Sequence, residues 1–350
     1  MRLDFNYSLP RISFLTLIVL LMILFVINYY LLVNDFSNSM IDEDDRLDWF
    51  ECIDRNQKFI PLNLHIRYEP RIEINQTFDL LILIHSAVQH RKQRQIIRES
   101  FRKLWNENWL LVFVVGQSNS SRLNDLIREE NKGFNDIIQT NHLDSYRNLT
   151  LKHFSGLRWA ISQHSDRLEL DKFKWILKMD DDIFLNYYLL QKFLSRIDNE
   201  SNKIDIYCYE MIETFPLRTL GSKWFVSSDD YSCDRYPLYC SGWAYLARYK
   251  TISKLMNQIL MDGESSFFWI DDVYITGILR ASWNKKNLDK IKLKSINRLF
   301  NLHSKELETW SKKNFYEYNQ VKWRFLFSHT VDFQILQSSL IKNYRIHKSN

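Results

Sequence analysis

The stretch Phe173–Asn186, FKWILKMDDDIFLN, decides how the chain is expected to fold. Bulky apolar residues on both sides of Asp180, Asp181 and Asp182 predict a buried strand with three carboxylates at its carboxyl end. In open α/β sheets, ligands bind at that end of the strands. Crowding and burial both disfavour the charged forms, so a bound divalent cation would stabilise them. The alternative is a solvated acidic loop, as the unframed run Asp42–Asp45 indicates.

Other apolar runs of strand length alternate with segments of helical period. Strands are predicted at 78–85, 109–116, 136–139, 173–179, 204–209 and 240–247, and helices at 89–105, 122–130 and 149–164. This alternation predicts a mainly parallel sheet covered on both faces, a Rossmann-like α/β fold. The chain has no Gly-x-Gly-x-x-Gly or Walker loop, so a nucleotide diphosphate would be held through carboxylates and a metal.

The N-terminal region predicts a membrane anchor. Residues 12–33 carry no charge and are numerous enough to span a bilayer as a helix. Arg2 and Arg11 precede them and acids follow, so the positive-inside rule places the rest of the chain in the lumen. A cleaved signal peptide, the alternative, would have a shorter apolar core. The predicted segments are a cytosolic tail (1–11), a signal-anchor (12–33), a stem (34–76), a folded domain (77–305) and a C-terminal extension (306–350).

Composition limits the class of protein. The net charge is only +5 and the basic residues are scattered, which argues against a nucleic-acid groove. Four cysteines follow the predicted anchor, at positions 52, 208, 233 and 240. An even number in a lumenal domain predicts disulfides, but the spacing does not specify their pairing.

Four further segments form a recognisable set of motifs together with the three acids. They are 94–100 (RQIIRES), 144–152 (DSYRNLTLK), 236–245 (YPLYCSGWAY) and 270–277 (IDDVYITG). With Asp180–Asp182, and in this order, they make the chain from about Leu80 to Gly277 resemble the β1,3-glycosyltransferases of the galactosyltransferase family. Four residues, at three places in the motifs, depart from the family pattern and bear on sugar and acceptor specificity. They are Ser100-Phe101 for Thr-Trp, Asp271 for the commoner glutamate, and Trp243 for a smaller residue.

The resemblance implies a GT-A domain and an inverting β1,3-hexosyltransferase. Such an enzyme moves galactose or N-acetylglucosamine from UDP-galactose or UDP-N-acetylglucosamine to a glycan on glycoprotein or glycolipid. It implies a manganese ion, with magnesium as the alternative, and a single-pass type II protein of the Golgi membrane. A non-catalytic glycan-binding or chaperone-like protein on the same fold is the alternative function. A metal-dependent hydrolase would need further ligands near Asp180, and oligomeric state is left open.

The resemblance also assigns roles to the acids. Asp182 would be the direct metal ligand together with Asp180, while Asp180 and Asp181 would face the nucleotide. Asp272 would be the general base that takes the proton of the acceptor hydroxyl. Asp271 would lie in the donor site, although either of the two acids could instead favour a helix N-terminus.

Five more residues receive roles in the same way. Gly242 would border the donor. Arg94 and Arg98, four residues apart on one helical face, would be donor-pocket or structural residues, or else a surface pair. Lys152 would face the donor or the solvent. A downstream histidine, His303 with His329 as the second choice, would join the metal.

Overall fold

The structure is a computed structural model, and it describes residues 21–29, 47–53, 64–73, 76–103, 106–163, 171–199, 204–262, 267–301 and 326–329. The chain divides into two compact units, Met1–Leu47 and Asp48–Asn350. In the first unit, residues 21–29 are helical. No helix within the described ranges is long and apolar enough to cross a membrane. The predicted tail, much of the predicted anchor and stem, His303 and most of the predicted extension lie outside the described residues.

The second unit contains six α-helices and eleven strands among its described residues. The helices are α1 (Arg91–Lys103), α2 (Ser121–Phe134), α3 (Leu149–Ser162), α4 (Tyr187–Asp198), α5 (Tyr249–Asp262) and α6 (Arg280–Lys286). A π-helical segment, Val273–Leu279, directly precedes α6. The strands are β1 (Ile66–Tyr68), β2 (Phe78–His85), β3 (Trp109–Gln117), β4 (Ile137–Leu143), β5 (Phe173–Asp180), β6 (Ile183–Leu185), β7 (Ile206–Met211), β8 (Tyr239–Arg248), β9 (Leu293–Ser295), β10 (Phe300–Asn301) and β11 (Phe327–His329).

The main sheet is mixed, with eight strands in the order β1-β4-β3-β2-β5-β8-β7-β9. The prediction of parallel pairing is correct for β4-β3-β2-β5. It is wrong for β8, which pairs antiparallel with both β5 and β7. Antiparallel pairing brings the start of β8, rather than its end, beside the carboxyl end of β5. Consequently residues early in β8 lie at the edge where ligands bind in α/β sheets.

Both faces of the sheet are covered, as the continuous apolar runs predict. Alternate residues of β5 enter two separate cores: Ile176 joins one core, and Trp175 and Leu177 join the other. The first core includes residues of α3, α5 and the π-helical segment, and the second includes residues of α1, α2 and α4. The α/β fold class is therefore confirmed, with helices packed on each face.

A buried ion network joins α1 to α2 and to the residue before β4. The Arg94 guanidinium donates to both carboxylate oxygens of Glu130, at 2.9 and 2.8 Å. Arg98 donates to Glu130 at 2.7 Å and makes a two-point contact with Asp136 at 2.6 and 2.8 Å. Arg94 and Glu130 are almost wholly buried. Each buried charge is thus paired, which is the condition for burying charge at all.

Two disulfides form from the four cysteines, as their even number predicts. Cys52 pairs with Cys233, and Cys208 pairs with Cys240. The first links a short segment before the sheet to the loop that precedes β8, and the second joins the neighbouring strands β7 and β8. Both therefore hold the half of the sheet that contains the antiparallel strands.

Glu130→Ala should destabilise the protein by about 3–5 kcal/mol, because it leaves two buried guanidinium groups short of a carboxylate. Urea denaturation monitored by tryptophan fluorescence measures the change. Glu129→Ala is the matched control, since that adjacent acid of α2 is 58% exposed and its ion-pair partners in the described part of the chain are the surface residues Arg128 and Lys132. Its expected cost is below about 1 kcal/mol. Equal costs for the two variants would contradict the role of the buried network.

Candidate active site

A cavity of about 440 Å³ opens at the carboxyl ends of β2 and β5. It contains acidic, basic and aromatic side chains from several elements of the fold. Its lining residues are His85, Tyr146, Leu149, Lys178, Asp180, Asp182, Lys223, Trp224, Ser241, Gly242, Trp243, Trp269, Ile270, Asp271 and Asp272. The cavity thus brings the predicted metal acids and the predicted base to one place, although more than 80 residues separate them in sequence.

A buried lysine forms the floor of this cavity. Lys178 lies in β5, where its side chain is only 2% exposed. Its ammonium donates to Asp180 at 2.9 Å and to the carbonyl oxygen of Gly242 at 2.6 Å, and it lies 3.8 Å from Asp271. These contacts join β5, β8 and the start of the π-helical segment. The cation also offsets part of the negative charge that the acids bring into the cavity.

Asp271 and Asp272, the two acids before the π-helical segment, have different hydrogen-bond partners. Asp272 accepts from the Gly242 N–H and from the Val273 N–H, each at 2.9 Å. Asp271 accepts from His153 Nδ1 or donates to it across 2.9 Å, according to the histidine tautomer. Asp272 therefore caps the helical segment and also reaches the cavity, so its two proposed roles are combined in one residue.

The two acids differ in protonation. Burial and the neighbouring charge of Asp271 raise the pKa of Asp272 to about 7. Burial also acts to raise the pKa of Asp271, but Lys178 and the hydrogen bond with His153 outweigh it and lower that pKa. As a result Asp271 holds the negative charge, and Asp272 exchanges a proton near neutral pH. A carboxylate with such a pKa is suited to general-base catalysis.

Two buried histidines, His85 and His153, lie close to these acids. His85 is the last residue of β2, in register with Asp180, and its Nδ1 atom is 3.9 Å from both Asp180 and Asp271. His153 lies in α3 and contacts the hydroxyl of Tyr245 at 2.7 Å through Nε2. Burial lowers the pKa of each histidine. Both imidazoles are therefore mainly neutral at pH 7 and orient the carboxylates without adding much charge.

The side chains of Asp180, Asp181 and Asp182 lie in different surroundings. Asp180 and Asp182 line the cavity. Asp181 is buried and accepts from the Ser86 hydroxyl at 2.6 Å, with His90 Nδ1 at 2.9 Å on the same oxygen. The framed run is thus not a solvated loop: its outer acids face the cavity and its middle acid binds side chains that follow β2.

The predicted basic residues lie behind the site. Arg94 donates to Ser86 Oγ at 3.0 Å and so supports the hydroxyl that holds Asp181. Lys152 pairs with Asp144 and donates to the carbonyl oxygen of Ser86 at 3.0 Å. For Arg94 and Arg98, these contacts favour the structural role over the donor-pocket role and the surface pair. For Lys152 they favour neither an orientation toward the donor nor one toward the solvent, because its ammonium is bound by Asp144 and Ser86. Gly242 lines the cavity as expected, and a Cβ atom there would come 3.1 Å from Asp272 Oδ2.

Several residues of the site were not predicted from the sequence. Lys178, His85 and His153 lie within runs that predict buried elements, so each is a polar residue in an apolar setting. Such a residue is costly to bury unless it is paired, and this is the signal that identifies them. The aromatic residues that line the cavity give no comparable signal, since aromatic side chains are common in any core.

The carboxylates of Asp180 and Asp182 fit a hard divalent cation, because both line one cavity and oxygen ligands suit manganese and magnesium. Among the described residues, no three His, Cys, Asp or Glu side chains are grouped to hold a metal by themselves. Further ligands would have to come from a bound substrate or from another part of the chain. In the strand register, His329 of β11 is opposite Ile183, the residue after Asp182.

Comparison with known proteins gives consistent results. The model of the family described as galactosyltransferase matches residues 92–300. The human protein "Beta-1,3-galactosyltransferase 1" is 30% identical over 229 residues, which cover 63% of this chain and 67% of that protein. The Drosophila melanogaster protein "Beta-1,3-galactosyltransferase brn" is 28% identical over 211 residues, or 59% of this chain and 62% of that protein. Among solved structures, S. aureus TarS 1–349 aligns with a TM-score of 0.35 at 14% identity, covering 63% of this chain and 58% of that one, which is too distant to add to the family match.

Lys178→Met should destabilise the protein by about 3–5 kcal/mol at pH 8, because the buried acids lose their cation. The loss should be smaller at pH 5. Without the ammonium the folded-state pKa of Asp180 rises further above its unfolded value and that of Asp271 loses its main lowering contact, so the variant loses stability relative to the unaltered protein as pH increases. Urea denaturation at both pH values measures this difference. Lys174→Met is the matched control, since Lys174 lies on the same strand, is 49% exposed and pairs with Asp198 at the surface. A pH-independent loss in Lys178→Met would contradict the electrostatic role.

Proposed function

Because the chain belongs to the galactosyltransferase family, we propose that it is an inverting β1,3-hexosyltransferase that moves galactose or N-acetylglucosamine from a UDP-sugar to a glycan acceptor. One observation carries the proposal: the cavity is lined both by Asp180 and Asp182 and by Asp272. Transfer from a nucleotide diphosphate requires neutralisation of the leaving group and removal of one proton from the acceptor. The two sets of acids supply these two functions, which leaves the non-catalytic alternative without support from the site.

Asp272 is the proposed general base. Inverting transfer is one in-line displacement, so a single base that receives the acceptor proton is sufficient. The Gly242 and Val273 N–H groups orient the Asp272 carboxylate, and its pKa of about 7 lets it accept a proton at neutral pH. Asp271 keeps its charge beside Lys178 and His153 and so sustains the raised pKa of Asp272.

Asp182 and Asp180 are the proposed metal ligands, with His303 or His329 as a third; in the strand register His329 is opposite the residue after Asp182. A bound manganese or magnesium ion supplies positive charge to the diphosphate as it leaves. Lys178 keeps Asp180 in position for this role through its hydrogen bond. The remaining ligand positions suit the oxygen atoms of the diphosphate.

The proposed setting is the Golgi lumen, with residues 12–33 as a type II anchor. The two disulfides support a lumenal domain, since disulfides persist in the oxidising compartments of the secretory route. The acceptor would be a glycan on glycoprotein or glycolipid.

The test separates the two sets of acids. Asp182→Ala should weaken manganese-dependent UDP binding by at least about 100-fold, because a direct ligand contributes more than the 10–100-fold of a supporting residue. Asp272→Asn should leave UDP binding unchanged and lower kcat by about 10²–10⁴-fold. Calorimetry with UDP and manganese measures binding, and UDP release with each UDP-sugar and a panel of acceptor glycans measures turnover.

Asp125→Ala is the control, since among the described residues that exposed acid is ion-paired with Arg128 on the surface of α2, outside the cavity. Neither binding nor turnover should change in it. Lost UDP binding in Asp272→Asn would reject its role as base. If the unaltered protein neither binds UDP nor releases it with any acceptor, the proposed function is wrong.

The pH dependence of kcat/KM should show the titration of the proposed base, Asp272. Because Asp272 acts only when deprotonated, kcat/KM should fall as pH decreases through about 7. Asp271→Asn removes the like charge that helps to raise this pKa, so the acidic limb should move to lower pH. Initial rates between pH 5 and 9 at fixed manganese measure the shift. A limb that stays in place in Asp271→Asn would contradict the coupling of the two acids.

A further inference from the structure

We propose that Tyr146, Trp224 and Trp269 form the subsite that binds the ring of the acceptor sugar, which we call the aromatic wall. The proposal rests on the proposed function, because it identifies the acceptor side by its position relative to the base. It commits to one occupant, a pyranose whose C–H face lies against the exposed rings of Tyr146 and Trp224, with the buried Trp269 supporting them, while a hydroxyl is directed to Asp272. The other candidate occupant is the uracil ring of the donor.

The aromatic wall is a continuous group of contacts. The Lys223 ammonium connects Tyr146 and Trp224, since it lies 5.9 Å from the ring centroid of the first and 4.2 Å from that of the second. The rings of Tyr146 and Trp269 meet edge to face, with centroids 5.7 Å apart. Two cations stack on the wall: Lys223 lies 4.2 Å from the Trp224 ring centroid and the Arg147 guanidinium lies 4.0 Å from that of Trp269. These contacts hold the rings in fixed orientations, so little ordering is needed when a ligand binds.

The wall shares its cavity with the proposed base. Trp269 precedes the acid pair by two residues in the chain, and all three aromatic residues line the cavity together with Asp272. Burial raises the pKa of Tyr146 to about 12, and the negative charge of Asp272 also raises it. A ring bound against the wall would therefore lie in the same cavity as the acid proposed to receive the acceptor proton.

The chemistry of the wall suits a sugar. A pyranose has a face of C–H bonds that carries partial positive charge, and the faces of aromatic rings carry partial negative charge. Binding sites combine such apolar walls with a few polar groups that fix orientation. Trp224 is 51% exposed at the cavity, although burying an indole is strongly favourable. An exposed indole held in place beside a catalytic base indicates a ring to be covered by substrate.

The loop that carries Trp224 is anchored at its base. The Arg218 guanidinium donates to the carbonyl oxygens of Val226, Ser227 and Tyr231 at 2.9, 2.7 and 2.7 Å. The disulfide between Cys52 and Cys233 holds the far end of the same loop. Trp224 is therefore supported by a cross-linked loop, as a residue of a preformed subsite should be.

The experiment compares three variants of the full chain. Trp224→Ala removes the ring, Trp224→Phe keeps an aromatic face, and Phe215→Ala removes another exposed ring of the same loop, 67% exposed and outside the cavity lining. Calorimetry measures UDP binding with manganese. Saturation-transfer NMR measures binding of methyl β-galactoside and methyl β-N-acetylglucosaminide, and UDP release measures the KM of any acceptor that the unaltered protein uses.

Trp224→Ala should weaken methyl glycoside binding and raise the acceptor KM by at least about tenfold, with UDP binding unchanged. Trp224→Phe should recover most of the loss, and Phe215→Ala should behave as the unaltered protein. Loss of UDP binding in Trp224→Ala would overturn the proposal and assign the wall to the donor base. Absence of saturation transfer to either glycoside in the unaltered protein would also overturn it. Glycoside binding that depends on Trp224 without any sugar transfer would instead support the subsite and reject the proposed reaction.

Discussion

The ammonium group of Lys178 is the contact on which the site depends. It is buried within an apolar strand. It donates hydrogen bonds to Asp180 and to the carbonyl oxygen of Gly242, and it also forms an ion pair with Asp271. Without this cation the fold would have to bring several carboxylates together in a poorly solvated cavity, where each would raise the pKa of the others. A single buried lysine therefore allows the metal acids and the base to be placed in one cavity.

This constraint also explains why two adjacent acids behave differently. Asp271 faces Lys178 and His153 and stays ionised, whereas Asp272 is held by two backbone N–H groups and lies beside the charge of Asp271. Their opposite pKa shifts arise from surroundings that differ over a few ångströms. Asp271 lies 2.9 Å from His153 Nδ1, so the short aspartate side chain is long enough to reach the imidazole.

Much of the scaffold could be predicted from the sequence, because apolar runs and helical periodicity report directly on burial. All predicted strands and helices from residue 78 to residue 247 are present, with bounds that differ by at most four residues. The direction of β8 could not be predicted, since periodicity does not distinguish parallel from antiparallel pairing. The i, i+4 spacing of Arg94 and Arg98 correctly places them on one helical face, but only the fold brings Glu130 and Asp136 to that face. A single sequence does not reveal which residues that are distant along the chain become contact partners in the fold.

In the proposed reaction, the antiparallel direction of β8 would separate the acceptor side of the cavity from the side of the metal ligands. The parallel strands β2 and β5 end at the cavity and contribute His85 and the metal acids there, as strand ends do in α/β sheets. Since β8 runs the other way, it begins at the cavity, and the loop that precedes it brings Trp224 to the side of Asp272. The strand ends are bound into the sheet by backbone hydrogen bonds and by Lys178, so they tolerate little change. The loop is held by Arg218, by one disulfide and by the buried side chains of Val226 and Tyr231, whereas Trp224 and Phe215 on the same loop are exposed. Under the proposed function, a change in these exposed side chains would alter acceptor recognition and leave the contacts of the acids in place.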